Sequence, residues 1–367
     1  MPSLTHYLSL AGLAVNYYAS LASATGVILP LYTWPSDSTW EPVYSALAAY
    51  PDVDFYVIVN PNSGPGTSSP PASDYVTGVE TLNSYANAHT LGYVRVNWAN
   101  RDIGEVKTDI DIYSQWASYD SATSSSSRKK RSPCNHEGEN SYTGNPWHTN
   151  TPWTTLTRTS TSTAAATTST STSSSTTTTI SSPTLPSTST STSNPSSTPT
   201  TPSTTTNTGI TLSGIFFDEA PQSSSTSELS YMQEAADYVK SKSTSFAALN
   251  TNTSTPAIVF NPGTAPATEY FDYATHIVDF ESTYTAWLDQ QQEDSSSKTA
   301  AAVIEGVDSG DYSQSAIIIN SVPQDVDYGA VIDAAVSKGV ALVYLTTDFD
   351  YKTLESVGKV AAAITEA

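Results

Sequence analysis

Outside one long stretch, the chain alternates short β-branched or aromatic runs with amphipathic segments. That is the pattern of a parallel sheet assembled from strand–helix units. The first apolar run is 26–32 (GVILPLY), and a helix is predicted over 40–50 (WEPVYSALAAY). A second run, 54–60 (DFYVIVN), leads into a helix through 75–87; a third, 90–97 (TLGYVRVN), into a helix over 106–116. The fourth, 212–219 (LSGIFFDE), precedes a helix over 227–241. Runs at 257–261 (AIVFN) and 276–281 (HIVDFE) predict strands five and six. The seventh, 316–320 (AIIIN), is followed by a helix over 328–338, and the eighth, 340–346 (VALVYLT), by one over 354–365. Eight such units predict a closed (β/α)8 barrel, the TIM barrel, although open doubly wound sheets share the local pattern.

The exception to the alternation is 123–208, which is overwhelmingly Ser and Thr with scattered Pro. Such a segment cannot bury enough apolar surface to offset its ordering entropy, so it is expected to be a long disordered insertion. It interrupts the barrel between 25–122, carrying strands one to three, and 209–367, carrying strands four to eight. Without it and the first 24 residues, about 260 residues remain, one barrel's worth, since the usual size is about 250. The insertion falls in a helix-to-strand loop, on the bottom of a barrel, whereas chemistry sits at the strand C-termini on top. It reads equally as an O-glycosylated stalk or wall-contacting segment, or as an error of the gene model. Residues 128–131 (RKKR) are either a processing site or a charge cluster.

Residues 8–15 (LSLAGLAV) followed by 22–24 (ASA) resemble a secretory leader with cleavage after residue 24, which predicts a secreted or cell-wall protein. A plain N-terminal helix or tail is the competing reading. No run approaches the roughly 18 apolar residues of a membrane span, so no membrane association is expected. Net charge is −21, from 14 Lys+Arg against 35 Asp+Glu, which argues against nucleic acid, because phosphate binding needs a basic face. An acidic field suits a cationic ligand such as a polymer with free amino sugars, though solubility explains it as well. The one cysteine, Cys134, lies in the insertion, so the barrel has no disulfide. A monomer is expected.

Several catalytic kits are missing. There is no G-x-S-x-G elbow for a serine hydrolase and no glycine-rich phosphate loop. Of five histidines only His89 and His276 lie in the barrel, both near strand starts at the bottom, so neither a metal nor another cofactor is expected. The strand tops offer carboxylates, amides and aromatics. Strand four ends in Asp218 and Glu219, whose side chains leave on opposite faces; strand six ends in Asp279 and Glu281, which alternation puts on one face. Glycoside hydrolysis needs two carboxyls flanking the bond, one to protonate the leaving oxygen and one to act as nucleophile or base. Strands four and six are about 10 Å apart, so converging side chains span roughly 5 to 9 Å, which covers both retaining and inverting geometry. Helix capping is the alternative for these acids. Asn60, Asn261 and Asn320 end strands two, five and seven, the first two followed by Pro, and serve either substrate binding or turn formation. Tyr32, Trp34, Tyr93, Trp98 and Tyr284 lie at or just beyond strand tops as surfaces to stack on sugar rings or as rim packing. Arg101 is a candidate partner for a catalytic carboxylate, or a surface ion pair.

The segments 26–35 (GVILPLYTWP), 58–66 (IVNPNSGPG), 92–94 (GYV) with Arg101, 109–116 (DIDIYSQW), 215–221 (IFFDEAP), 261–263 (NPG) and Phe280-Glu281 together resemble the spherulin 4 family. The resemblance runs from Gly26 to about Trp287, apart from the insertion. It implies a (β/α)8 glycoside hydrolase, secreted by fungi and their relatives, that makes endo cuts in α-1,4-linked N-acetylgalactosamine of galactosaminogalactan. It carries functional carboxylates onto Asp218, Glu219 and Glu281. On this reading Asp218 is the nucleophile or transition-state stabiliser, Glu281 the acid/base, and Glu219 a supporting or alternative acid. A non-catalytic wall or spore-coat protein that binds carbohydrate through the same barrel is the rival, and the Ser/Thr stretch favours it.

Overall fold

The structure, a computed structural model, describes residues 25–36, 38–67, 71–118, 210–249, 255–293 and 312–367. The expected leader (1–24) and insertion (123–208) lie outside the described residues. Everything described belongs to one unit of the chain, drawn from 1–129 and 207–367.

Eight parallel strands close in sequence order: β1 (Gly26–Leu31), β2 (Phe55–Val59), β3 (Ala88–Arg95), β4 (Gly214–Asp218), β5 (Ala257–Asn261), β6 (His276–Thr283), β7 (Ser315–Asn320) and β8 (Leu342–Leu345). The ring shuts where β8 pairs with β1 at Gly26 and Val27. The helices outside it are α1 (Glu41–Ala49), α2 (Ser73–Leu82), α3 (Ile103–Trp116), α4 (Thr226–Ser241), α5 (Tyr284–Glu293), α6 (Tyr328–Val336) and α7 (Val357–Glu366). This is the (β/α)8 barrel the alternation predicts. The sequence marks no helix after strands five and six. After β5 only a short 3-10 turn, Thr268–Asp272, is present, and α5 leaves β6 directly. The apolar residues of α5, Ala286, Trp287 and Leu288, are consecutive, so they make no helical stripe for periodicity to detect.

The strands are buried on both faces, β2 (FYVIV) along its whole length, as helices cover a parallel sheet. Helix α3 starts on Asp102, whose carboxylate accepts the amides of Gly104 and Glu105. It docks through Tyr113 over Gly92: a Cβ on that glycine would lie 2.7 Å from the Tyr113 ring. The Tyr113 hydroxyl donates to the Tyr93 carbonyl at 3.0 Å, which ties the helix to the strand that carries a mouth residue.

Which face of β6 is inside follows from one ring contact. Tyr56 of β2 and His276 of β6 have centroids 4.9 Å apart, and strands two and six stand opposite each other in the ring, so both rings lie in the barrel interior. Burial and the nearby His89 push the His276 imidazole down to about 4, so it is neutral at the barrel bottom. Strict alternation from His276 would turn Glu281, five residues on, outward. The register with β7 slips between Val278 and Phe280, however, so β6 carries one extra residue there. That β-bulge reverses the phase. Phe280 turns outward onto Trp287 of α5, with ring centroids at 5.6 Å, and Glu281 turns into the mouth. Asp279 and Glu281 therefore do not share a face by simple alternation. Asp279 is the inserted residue. It is buried, and among the described residues neither of its oxygens meets a hydrogen-bond partner.

Candidate active site

Strand β4 runs in unbroken register between its neighbours, so Asp218 stands beside Arg95 of β3 and Asn261 of β5. Its Oδ2 accepts the Tyr93 hydroxyl at 2.6 Å and its Oδ1 accepts the Asn261 amide at 3.0 Å. Glu281 has a matching set of donors. Its Oε1 accepts the Tyr351 hydroxyl at 2.6 Å and its Oε2 accepts the same Asn261 nitrogen at 2.6 Å. One amide nitrogen thus donates to two carboxyls, and those two oxygens are no more than about 5.6 Å apart.

The orientation of Asn261 is dictated by the turn that follows it. Its Oδ1 accepts the Gly263 amide at 3.0 Å, which leaves Nδ2 for the acids. Gly263 adopts φ 70°, open to glycine at no steric cost, and its carbonyl receives the Glu281 amide at 3.0 Å. The Asn-Pro-Gly turn therefore positions both the bridging amide and the strand that bears Glu281.

Burial, and then the charge of Glu281, push the Asp218 carboxyl up to about 6, while the Tyr93 hydroxyl draws it down. Tyr93 and Tyr351 are driven far above the ordinary phenol range, first by burial and then by the carboxylate each one faces, so both remain donors. Tyr32 completes the aromatic floor. It meets Tyr93 edge-on at 5.7 Å and Tyr351 at 6.0 Å, and burial followed by the Asp218 charge keeps its hydroxyl protonated.

Glu219 belongs to a different arrangement. It adopts φ 54°, and its carboxylate turns to Arg95, with Nε 2.6 Å from Oε2. Facing it is a second left-handed segment, Asn97, Trp98 and Ala99, with φ of 51°, 49° and 61°. Such residues cost about 1–3 kcal/mol each and persist only where their surroundings hold them. Here the Trp98 amide donates to the Glu219 carbonyl at 2.6 Å and the Val96 amide to the Asp218 carbonyl at 2.9 Å.

Of the residues expected from the sequence, Asp218, Glu281, Asn261, Tyr93 and Tyr32 converge. Arg101 does not touch the acid pair: it bridges Asp109 at 2.7 Å and Glu105 at 3.4 Å. The left-handed turn at 97–99 reverses the chain and brings Arg101 against α3, and the arginine that meets a strand-four carboxylate is Arg95. Asn60 lies at the top of β2, and its Oδ1 is taken by the Gly64 amide at 2.9 Å, the turn-forming role. Tyr351 was missed; its hydroxyl lies 3.4 Å from the amide nitrogen of Asn320, the residue that ends strand seven. Tyr351 sits in the loop beyond β8, folded by Asp348 accepting the amides of Asp350, Lys352 and Thr353. No periodic pattern marks it, and the only signal is its place after the eighth strand.

Among the described residues no cluster of three or more His, Cys, Asp or Glu is placed to hold a metal ion, and no helix is long and apolar enough to cross a membrane. A groove between α3 and α4 lies on the outer wall, and the charges in it are paired, Lys107 with Glu234 at 2.6 Å.

The barrel resembles the crystal structure of Aspergillus clavatus Sph3 in complex with GalNAc, with a TM-score of 0.59 at 24% identity, over 93% of this chain and 98% of that one. Spherulin-4 of Physarum polycephalum is 36% identical over 99 residues, 27% of this chain and 28% of the relative. The aligned part thus spans under a third of that relative's length. The model of spherulation-specific family 4 matches residues 26–364, strand one to the last helix, and the chain belongs to that family.

Proposed function

We propose that this protein is a glycoside hydrolase that cuts an amino-sugar polysaccharide internally, using Asp218 and Glu281. The observation that carries the proposal is the shared Asn261 amide, which holds two carboxyls from different strands within one glycosidic bond of each other. The sequence suggests Asp218 as nucleophile; the electrostatics favour the exchange of roles. Asp218 keeps its proton up to about 6, so it suits delivery of that proton to the glycosidic oxygen. Glu281 would attack the anomeric carbon as the leaving sugar departs. Water, deprotonated by Asp218, would then release the sugar from Glu281 and restore both groups. Tyr93, Tyr351 and Asn261 position the acids. Glu219, neutralised by Arg95, supports the strand-four exit.

The bound GalNAc of the Aspergillus clavatus protein and the acidic net charge of −21 favour a galactosamine-containing chain, the α-1,4-linked N-acetylgalactosamine of galactosaminogalactan. We further propose that 1–24 is a secretory leader and that the mature protein acts outside the cell. Release of reducing ends from that polymer by the full chain, and its loss in Asp218→Asn, is the expected result. Binding to the polymer with no release of reducing ends would replace the hydrolase with a wall-binding protein.

A further inference from the structure

Three aromatic side chains stand exposed in strand-to-helix loops, on the face that holds the acids: Trp34 after β1, Trp98 after β3 and Phe349 after β8. Trp34 is committed to the fold. Its indole N–H donates to Asp74 at 2.8 Å and its ring meets Tyr75 edge-on at 5.0 Å. Trp98 and Phe349, 44% and 58% exposed, stack on no ring among the described residues.

Each of these two lies close along the chain to a residue of the acid site. The Trp98 amide donates to the backbone carbonyl of Glu219, the residue after Asp218. Phe349 lies two residues before Tyr351, whose hydroxyl holds Glu281. In the ring order β3 and β8 lie three strands apart, so the two aromatics rise from different parts of the rim around the acid pair. Trp98 is also the middle residue of three left-handed ones, a conformation a bulky side chain adopts at a cost. Holding a large ring in solvent on a backbone that disfavours it brings no gain in folding. The gain lies in contact with a ligand, and the apolar face of a pyranose is the natural partner for such a ring.

We propose that Trp98 and Phe349 are sugar-stacking platforms of two binding subsites on opposite sides of the Asp218–Glu281 pair. The chain would be gripped on both sides of the scissile bond, which is what internal cleavage requires. This rests on the glycosidase reading above and adds residues that determine the length of chain recognised.

The test uses the full chain and α-1,4-linked galactosamine oligosaccharides of graded length, N-acetylated and free. Trp98→Ala and Phe349→Ala should each raise KM on long chains roughly tenfold, with kcat moving much less. The penalty should grow with chain length, and the two variants should shift product sizes in opposite senses. Trp98→Phe should recover most of the loss. Trp98→Asn, suited to the left-handed backbone, guards against a folding defect, and its KM should rise as in Trp98→Ala. An unchanged KM for long chains in both variants would overturn the proposal, as would a penalty independent of length. Should the wild type release no reducing ends at all, the glycosidase reading falls. Calorimetry of the same oligosaccharides then decides the platforms, which fail if binding is equal in wild type and both variants.

Discussion

Strands β4 and β6 deliver their carboxylates to the same place by different means. In β4 the register with both neighbours is unbroken, and Asp218 arrives at the mouth by plain alternation. In β6 alternation from His276 would face Glu281 outward, and one inserted residue reverses the phase. The irregularity of β4 comes after its acid, at Glu219 with φ 54°. That of β6 comes before, at a buried Asp279 with no partner among the described residues. A pair of carboxyls can thus be brought together from one regular and one irregular strand, with a third group, here Asn261, spanning the two.

The sharpest test separates the two acids. Asp218→Asn should lower cleavage of the polymer by about 10³-fold, yet much less on an aryl glycoside whose leaving group needs no proton. Glu281→Gln should lose both by a similar factor and regain turnover with azide, which takes the place of the missing nucleophile. The reverse pattern would restore Asp218 as nucleophile. The pH profile carries the same distinction: with Asp218 as acid, kcat/KM falls as pH rises through about 6.

The bulge itself can be removed. Deleting Asp279 should turn Glu281 outward and abolish cleavage, with circular dichroism checking that the barrel persists. Asp279→Asn keeps the residue count and should keep activity. If the deletion variant is folded and active, the phase argument fails.

Smaller effects should come from the phenols. Tyr93→Phe and Tyr351→Phe each remove a hydrogen bond to a carboxylate, worth about 1.5–3 kcal/mol, and should lower kcat/KM by about 10- to 100-fold. Only Tyr93→Phe should move the limb near pH 6 upward, because that hydroxyl stabilises the ionised Asp218. Equal profiles in both variants would break the distinction.

The smallest effect is on stability. Burial raises Asp279 to about 7 and Asp218 to about 6, against 3.8 for the free side chain, so the folded chain holds these protons more tightly than the unfolded one. Their contribution is therefore fully present below about pH 4 and is lost as pH climbs to 7. Melting temperature should fall by several degrees over that window, and Asp279→Asn should flatten the slope. An unchanged slope in the variant would show that Asp279 does not titrate there.

How much of this was legible in the chain depended on whether a signal was periodic. Eight apolar runs ending in polar residues were enough for the barrel, and Asp218, Glu281, Asn261, Tyr93 and Tyr32 were legible as candidates because they stand at strand ends, which converge at the mouth of a barrel. Arg101 misled because three left-handed residues reverse the chain before it, a conformation that Asn97-Trp98-Ala99 does not advertise. Tyr351 went unseen because a loop residue has no period.

What the amino-acid order determined alone is the count of strand–helix units and the acids at two strand tops, since both follow from local alternation and burial. Whether those acids meet was decided only in three dimensions. The added residue in β6, the bridging amide of Asn261 and the loop carrying Tyr351 act between segments far apart in the chain. Their geometry depends on closure of the whole ring rather than on any local preference.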